Sequence, residues 1–154
     1  MPLTKIALYR ASLLADNLGV RLCAAAVMVM PSVLVFVVPI LALLGAPDDA
    51  FVPGAPLVEG SGMATVLPIA FGVGFTAAWM RIVFTGGRLL RRPALRRFVT
   101  GGLAVGIVAL LAALPASATS QESAVWPLLA SLAVSVFLLA ATLGQPRTDR
   151  LHRV

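Results

Sequence analysis

Charge is absent from four long stretches of the chain: Leu22 to Pro47, Gly60 to Met80, Phe98 to Gln121 and Ser123 to Pro146, of 26, 21, 24 and 24 residues. A helix of about 20 mostly apolar residues, rising about 1.5 Å per residue, covers a hydrocarbon core of about 30 Å. Each stretch can therefore cross a bilayer once. None shows the polar and apolar alternation of a membrane β-barrel strand, and in lipid a helix satisfies its backbone hydrogen bonds within its own segment. The pattern predicts an all-α membrane protein. It is expected to form one integral membrane domain over residues 1–154, a four-helix bundle with spans at 22–46, 61–82, 98–116 and 125–144.

The segment before the first span reads MPLTKIALYRASLLADNLGVR. Leu3, Ile6, Tyr9, Leu13, Leu14 and Leu18, several of them at spacings of three or four, stand among Lys5, Arg10, Asp16 and Arg21. Two readings stay open, a short helix lying in the membrane interface and a frayed cytoplasmic start. The apolar run that follows exceeds the roughly 7–15 residues of a cleaved signal's core, so a retained anchor is expected. Pro31 and Pro39 fall inside this first span and Pro68 inside the second. Each removes a backbone donor, a structural kink that membrane helices tolerate. Trp79 and Trp126 fall near predicted span ends, where indoles favour the headgroup level.

The charges assign sides to these spans. All twelve Lys and Arg residues lie in the N-terminal segment, in the region from Arg81 through GGRLLRRPALRRFVTGG, or in the tail QPRTDRLHRV. The loops after the first and third spans contain none, and hold Asp48, Asp49, Glu59 and Glu122 instead. Basic loops stay in the cytoplasm, so both termini and the arginine-rich segment are expected there. Arg88, Arg91 and Arg92 would share a helical face running out of the second span until Pro93 interrupts it, and Arg96 and Arg97 would introduce the third. Besides setting topology, these five arginines suit an anionic leaflet, at about 1 kcal/mol each near its surface, or a protein partner. The segment lacks the interleaved aromatics that stack bases, which argues against nucleic acid.

Composition narrows the chemistry. The chain is 60% apolar with mean hydropathy +1.00, well above the roughly 45–50% of soluble domains. Eleven arginines against one lysine, with abundant alanine, point to a GC-rich bacterial genome and hence to a bacterial inner membrane. Cys23 is the only cysteine, which excludes an intrachain disulfide and suits inert packing. No Asp, Glu, Lys or His lies inside a predicted span, so a carrier working through an intramembrane carboxylate and a haem held by histidines are both disfavoured. His152, the sole histidine, lies almost at the C-terminus. Asp48 and Asp49 sit in a loop rich in proline and glycine with no calcium-loop spacing. No zinc pattern, nucleotide-binding glycine loop or nucleophile with a nearby base occurs. Neither catalysis nor a cofactor is expected.

Small-residue pairs are better represented. Gly102 and Gly106 form a GxxxG, Ala70 and Gly74 an AxxxG, and Ser131 and Ser135 a third such spacing, each of which lets helix backbones approach closely. Ser32, Thr65, Thr76, Ser131, Ser135 and Thr142 are the main hydroxyls at membrane depth, and bonding to their own helix carbonyls is favoured over lining a polar path. The expected function is that of a non-catalytic accessory or structural subunit of a larger membrane complex. The alternative is a pore or permease component for ions or small solutes, a holin-like lesion former included. The partners implied are the lipid bilayer and either another membrane protein or further copies of this chain.

Overall fold

The computed structural model describes residues 3–43, 63–120 and 122–146. Among them every regular element is a helix: α1 (Leu3–Ala15), α2 (Leu18–Leu43), α3 (Met63–Val83), α4 (Gly86–Leu90), α5 (Pro93–Ser120) and α6 (Glu122–Leu143). Four of these are long and apolar enough to span a membrane, through Leu18–Val37, Val66–Val83, Pro93–Pro115 and Val125–Leu143. The architecture is that of a multi-pass helical membrane protein. The acidic loop with Asp48, Asp49 and Glu59, and the tail with Asp149 and His152, lie outside the described residues.

Helix boundaries differ from the limits drawn at charged residues. α2 starts at Leu18 rather than Leu22, because Asn17 acts as its N-cap: the Asn17 side-chain oxygen accepts from the Gly19 N–H at 2.9 Å. α5 starts at Pro93 rather than Phe98, with proline in the first helical position, where its missing N–H has no helical partner to lose. The third loop, expected over ASATSQESA, is helical up to Ser120 and again from Glu122. At 28 residues α5 is about 42 Å long, longer than the hydrocarbon core requires.

The helical face expected to carry Arg88, Arg91 and Arg92 out of the second span does not form. α3 stops at Val83, Thr85 is extended (φ −71°, ψ 159°), and only the five residues of α4 are helical before α5 begins. Arg88 lies in α4, Arg91 caps it and Arg92 precedes Pro93. Reversing direction between α3 and α5 within nine residues leaves no room for a continuous helix.

α3 packs most extensively on α5 and α5 on α6, while α2 closes the ring against α3 and α6. Going round the bundle the order is α2, α3, α5, α6, so neighbours in sequence are neighbours in space, as short connections require. The core is formed by Ala24 and Met28 of α2, Phe75, Ala77, Ala78 and Ile82 of α3, Leu89 of α4, Val99, Leu103 and Leu110 of α5, and Leu138 of α6. Outward positions are also apolar, among them Met30, Ile69, Val108 and Leu143, as expected where lipid replaces water. α1 lies across the end of α6, buries Ser12 and Ala15, and exposes Leu3, Ile6, Leu13 and Leu14.

Candidate functional site

Small residues let α3 and α5 meet backbone to backbone. A Cβ built on Gly106 would lie 2.7 Å from the Gly74 Cα, and one on Gly102 would lie 2.6 Å from the Ala77 Cβ. A Cβ on Gly74 would overlap the Gly106 Cα in turn. The GxxxG of α5 thus faces the small residues of α3 within one chain. Ala70 is half-buried one turn further along α3. Ser131 and Ser135 are buried on α6, and Ser135 lines a crevice with Phe71, Gly74, Phe75, Gly106 and Leu110 that is too narrow to admit water. Hydroxyls largely serve their own helices: Thr76 donates to the Gly72 carbonyl, Ser131 to Pro127 and Thr142 to Leu138, at 2.7–2.8 Å.

Ser32 is different. Its Oγ accepts from Trp79 Nε1 at 2.8 Å and ties α2 to α3. Trp79 is therefore turned into the bundle by a hydrogen bond, where its position in the sequence suggested a headgroup anchor, whereas Trp126 is exposed. Cys23, expected as inert packing, is exposed on α2.

The polar chemistry concentrates at the arginine-rich end, where the C-termini of α3 and α6 lie beside the starts of α2 and α5. A helix C-terminus leaves its last carbonyls without intrahelical donors and carries partial negative charge. Arginines from neighbouring helices supply both needs. Arg21 of α2 donates from Nε to the Ile82 carbonyl at 2.6 Å and from Nη2 to Val83 at 2.9 Å, capping α3. Arg96 of α5 reaches the Thr142 and Gln145 carbonyls at 3.4 and 3.3 Å, at the end of α6.

Between these caps sits a charge pair that was not singled out from the sequence. Arg81, in the last turn of α3, is fully buried, and its Nη1 donates to Asp16 Oδ1 at 3.1 Å and to the Phe84 carbonyl at 3.3 Å. Asp16 also accepts from the Gly86 N–H, at 3.1 Å on Oδ1 and 3.2 Å on Oδ2. Gly86 leaves room for this approach: a Cβ there would meet Asp16 Oδ2 and Gln145 Nε2, each at 2.7 Å, and would push those side-chain ends aside. A second close approach lies nearby, where a Cβ on Gly144 would overlap the Leu8 carbonyl. One carboxylate at the α1–α2 turn thereby joins α3 and the start of α4, while α1 rests on the end of α6. The only sequence signal was that Arg81 stands at the edge of an uncharged run while Asp16 is the lone acid of its segment.

The five predicted arginines do not form one unit. Arg96 is half-buried and engaged in capping α6, while Arg88, Arg91, Arg92 and Arg97 are exposed. Among the described residues, no group of three His, Cys, Asp or Glu side chains could hold a metal ion. Comparison with protein-family models, with curated proteins and with solved structures finds no match. Function must therefore be argued from the chain's own chemistry.

Proposed function

We propose that the chain is a non-catalytic accessory or structural subunit of a larger membrane complex, held with its arginine-rich end and both termini in the cytoplasm of a bacterial cell. The observation that carries this reading is how the polar groups are used. Apart from Arg81 and Gln145, the hydrogen-bonding side chains described within the bundle serve helix ends, helix backbones or helix-to-helix ties: Arg21 and Arg96 cap carbonyls, Trp79 bonds Ser32, and Thr76, Ser131 and Thr142 bond their own helices. Polar groups placed in this way fix a shape rather than run a reaction. Only 17% of the first span and 33% or less of each of the others is buried within the chain, so broad apolar faces remain for lipid or for a neighbouring membrane protein. α2, the least covered, is the natural face for a partner.

Arg88, Arg91, Arg92 and Arg97, exposed beside the ends of the spans, suit the anionic leaflet. α1 suits the interface, with its small face on α6 and Leu3, Ile6, Leu13 and Leu14 turned away from the bundle. The crevice between α3, α5 and α6 is too tight for water, so the pore alternative needs several copies, or a second chain, to enclose a path. Extraction in mild detergent followed by affinity capture and complex sizing tests the subunit reading. A fixed stoichiometric partner supports it. A chain that purifies alone as a homo-oligomer and conducts solutes in liposomes contradicts it.

A further inference from the structure

We propose that the polar cluster at the arginine-rich end binds a phosphate group, supplied by a lipid headgroup or by free phosphate. The inference rests on the geometry of Arg81, Asp16 and Gln145 and is independent of the subunit reading. Arg81 is fully buried, and its bonds to Asp16 and Phe84 both leave from Nη1. Its Nε and Nη2 are buried without a partner among the described residues. Those two atoms form the edge of the guanidinium that presents parallel N–H groups, the geometry that takes two oxygens of a phosphate or carboxylate at once.

Gln145 supplies the second half of the site. It is 5% exposed, and neither Nε2 nor Oε1 has a partner among the described residues. Its Nε2 and Asp16 Oδ2 cover the same glycine, Gly86, each 2.7 Å from the position a Cβ would take there. The Gln145 amide therefore lies beside the carboxylate that Arg81 pairs with. Polar groups this deeply buried are costly unless something polar meets them.

The charge balance selects an anion. Arg21, Arg81 and Arg96 converge on this end, where Arg21 and Arg96 bond backbone carbonyls and Asp16, paired with Arg81, is the one carboxylate in an ion pair among the described residues. A phosphate suits the donor set better than a simple carboxylate. Its oxygens accept from the Arg81 edge and from the Gln145 amide N–H groups, while a P–OH, or a hydroxyl of a glycerol headgroup, donates to Gln145 Oε1. The Asp16 side chain is 34% exposed, so the cluster reaches the surface beside the α1–α2 turn. That is the end of the spans where lipid headgroups lie.

The test uses the full-length chain in nanodiscs of a phosphate-free glycolipid, digalactosyldiacylglycerol. Thermal unfolding is followed during titration with inorganic phosphate against chloride at matched ionic strength, and in parallel with nanodiscs containing phosphatidylglycerol. A rise in Tm of about 4 °C at roughly ten times Kd, growing with the logarithm of ligand concentration beyond it, is expected. A rise with inorganic phosphate identifies the free anion as a ligand, and a rise with phosphatidylglycerol alone identifies the headgroup. Gln145→Leu should remove the response. Gln145→Glu, which sets a second carboxylate beside that of Asp16, should repel the anion and also remove the response. Three results would overturn the proposal: a wild-type protein insensitive to both probes, a response that persists in both Gln145 variants, and a response that emerges only after Asp149→Asn. The last would assign the Arg81 edge to the chain's own tail.

Discussion

Gly106→Ala is the smallest change that should loosen the bundle, and the structure sets its size. The added Cβ would lie 2.7 Å from the Gly74 Cα, whereas carbon atoms pack at about 3.5–4.0 Å, so α3 and α5 must separate by about 1 Å along their most extensive contact. Overpacking of this kind costs about 1–3 kcal/mol. Replacing glycine within a helix returns up to about 1 kcal/mol through propensity. The net loss is about 1–2 kcal/mol, a fall in Tm of about 4 °C for a chain of this size. Gly101→Ala is the matched control on the same helix, because a Cβ there meets nothing within 4 Å. It keeps the propensity gain and avoids the clash, so it should leave Tm unchanged or raise it. Thermal unfolding of both variants in one detergent, followed by helical circular dichroism, separates the two effects. Equal Tm values for Gly106→Ala and Gly101→Ala would refute a backbone-to-backbone seam between α3 and α5.

Further outcomes follow from the polar contacts. Asp16→Asn leaves the buried Arg81 without its counter-charge and should cost about 2 kcal/mol in a denaturant titration, less than for a fully buried pair because the Asp16 side chain is 34% exposed. Ser32→Ala strands the Trp79 indole N–H and should cost about 1 kcal/mol by the same titration, while Ser32→Thr keeps the acceptor and should lose less. For sidedness, Arg91→Cys in a Cys23→Ser background should react with a membrane-impermeant maleimide only after inner-membrane permeabilisation; labelling of intact spheroplasts would reverse the assigned orientation.

The four spans are legible in the sequence because exclusion of charge from lipid is a property of each residue taken alone. Helix limits are less so. Taking Arg21 and the Arg96–Arg97 pair as the edges of spans misplaced the starts of α2 and α5, since the operative signals were the Asn17 cap and Pro93 in the first turn. The roles of the basic residues were hidden for another reason. Arg21 binds carbonyls 61 and 62 residues away, Arg96 binds carbonyls 46 and 49 away, and Arg81 meets an aspartate 65 residues away. Antiparallel packing brings helix C-termini against helix starts, so a basic flank that sets topology also caps its neighbours, and no local spacing reports this. Small-residue spacing marked Gly74, Gly102 and Gly106, but which helices meet there is decided by the order of packing around the ring. Trp79 looked like a membrane anchor from its place in the chain, and only the position of Ser32 on α2 shows that it turns inward.

The proposed role of this chain is to hold a shape within a larger membrane assembly. Affinity capture of the full-length chain from its native membrane in mild detergent, with mass spectrometry and sizing of the recovered complex, tests it most directly. A different membrane protein should be recovered at fixed stoichiometry, with capture weakened by bulky or charged substitutions on the exposed face of α2. Recovery of this chain alone, as copies of itself that pass ions or small solutes across liposome membranes, would contradict it.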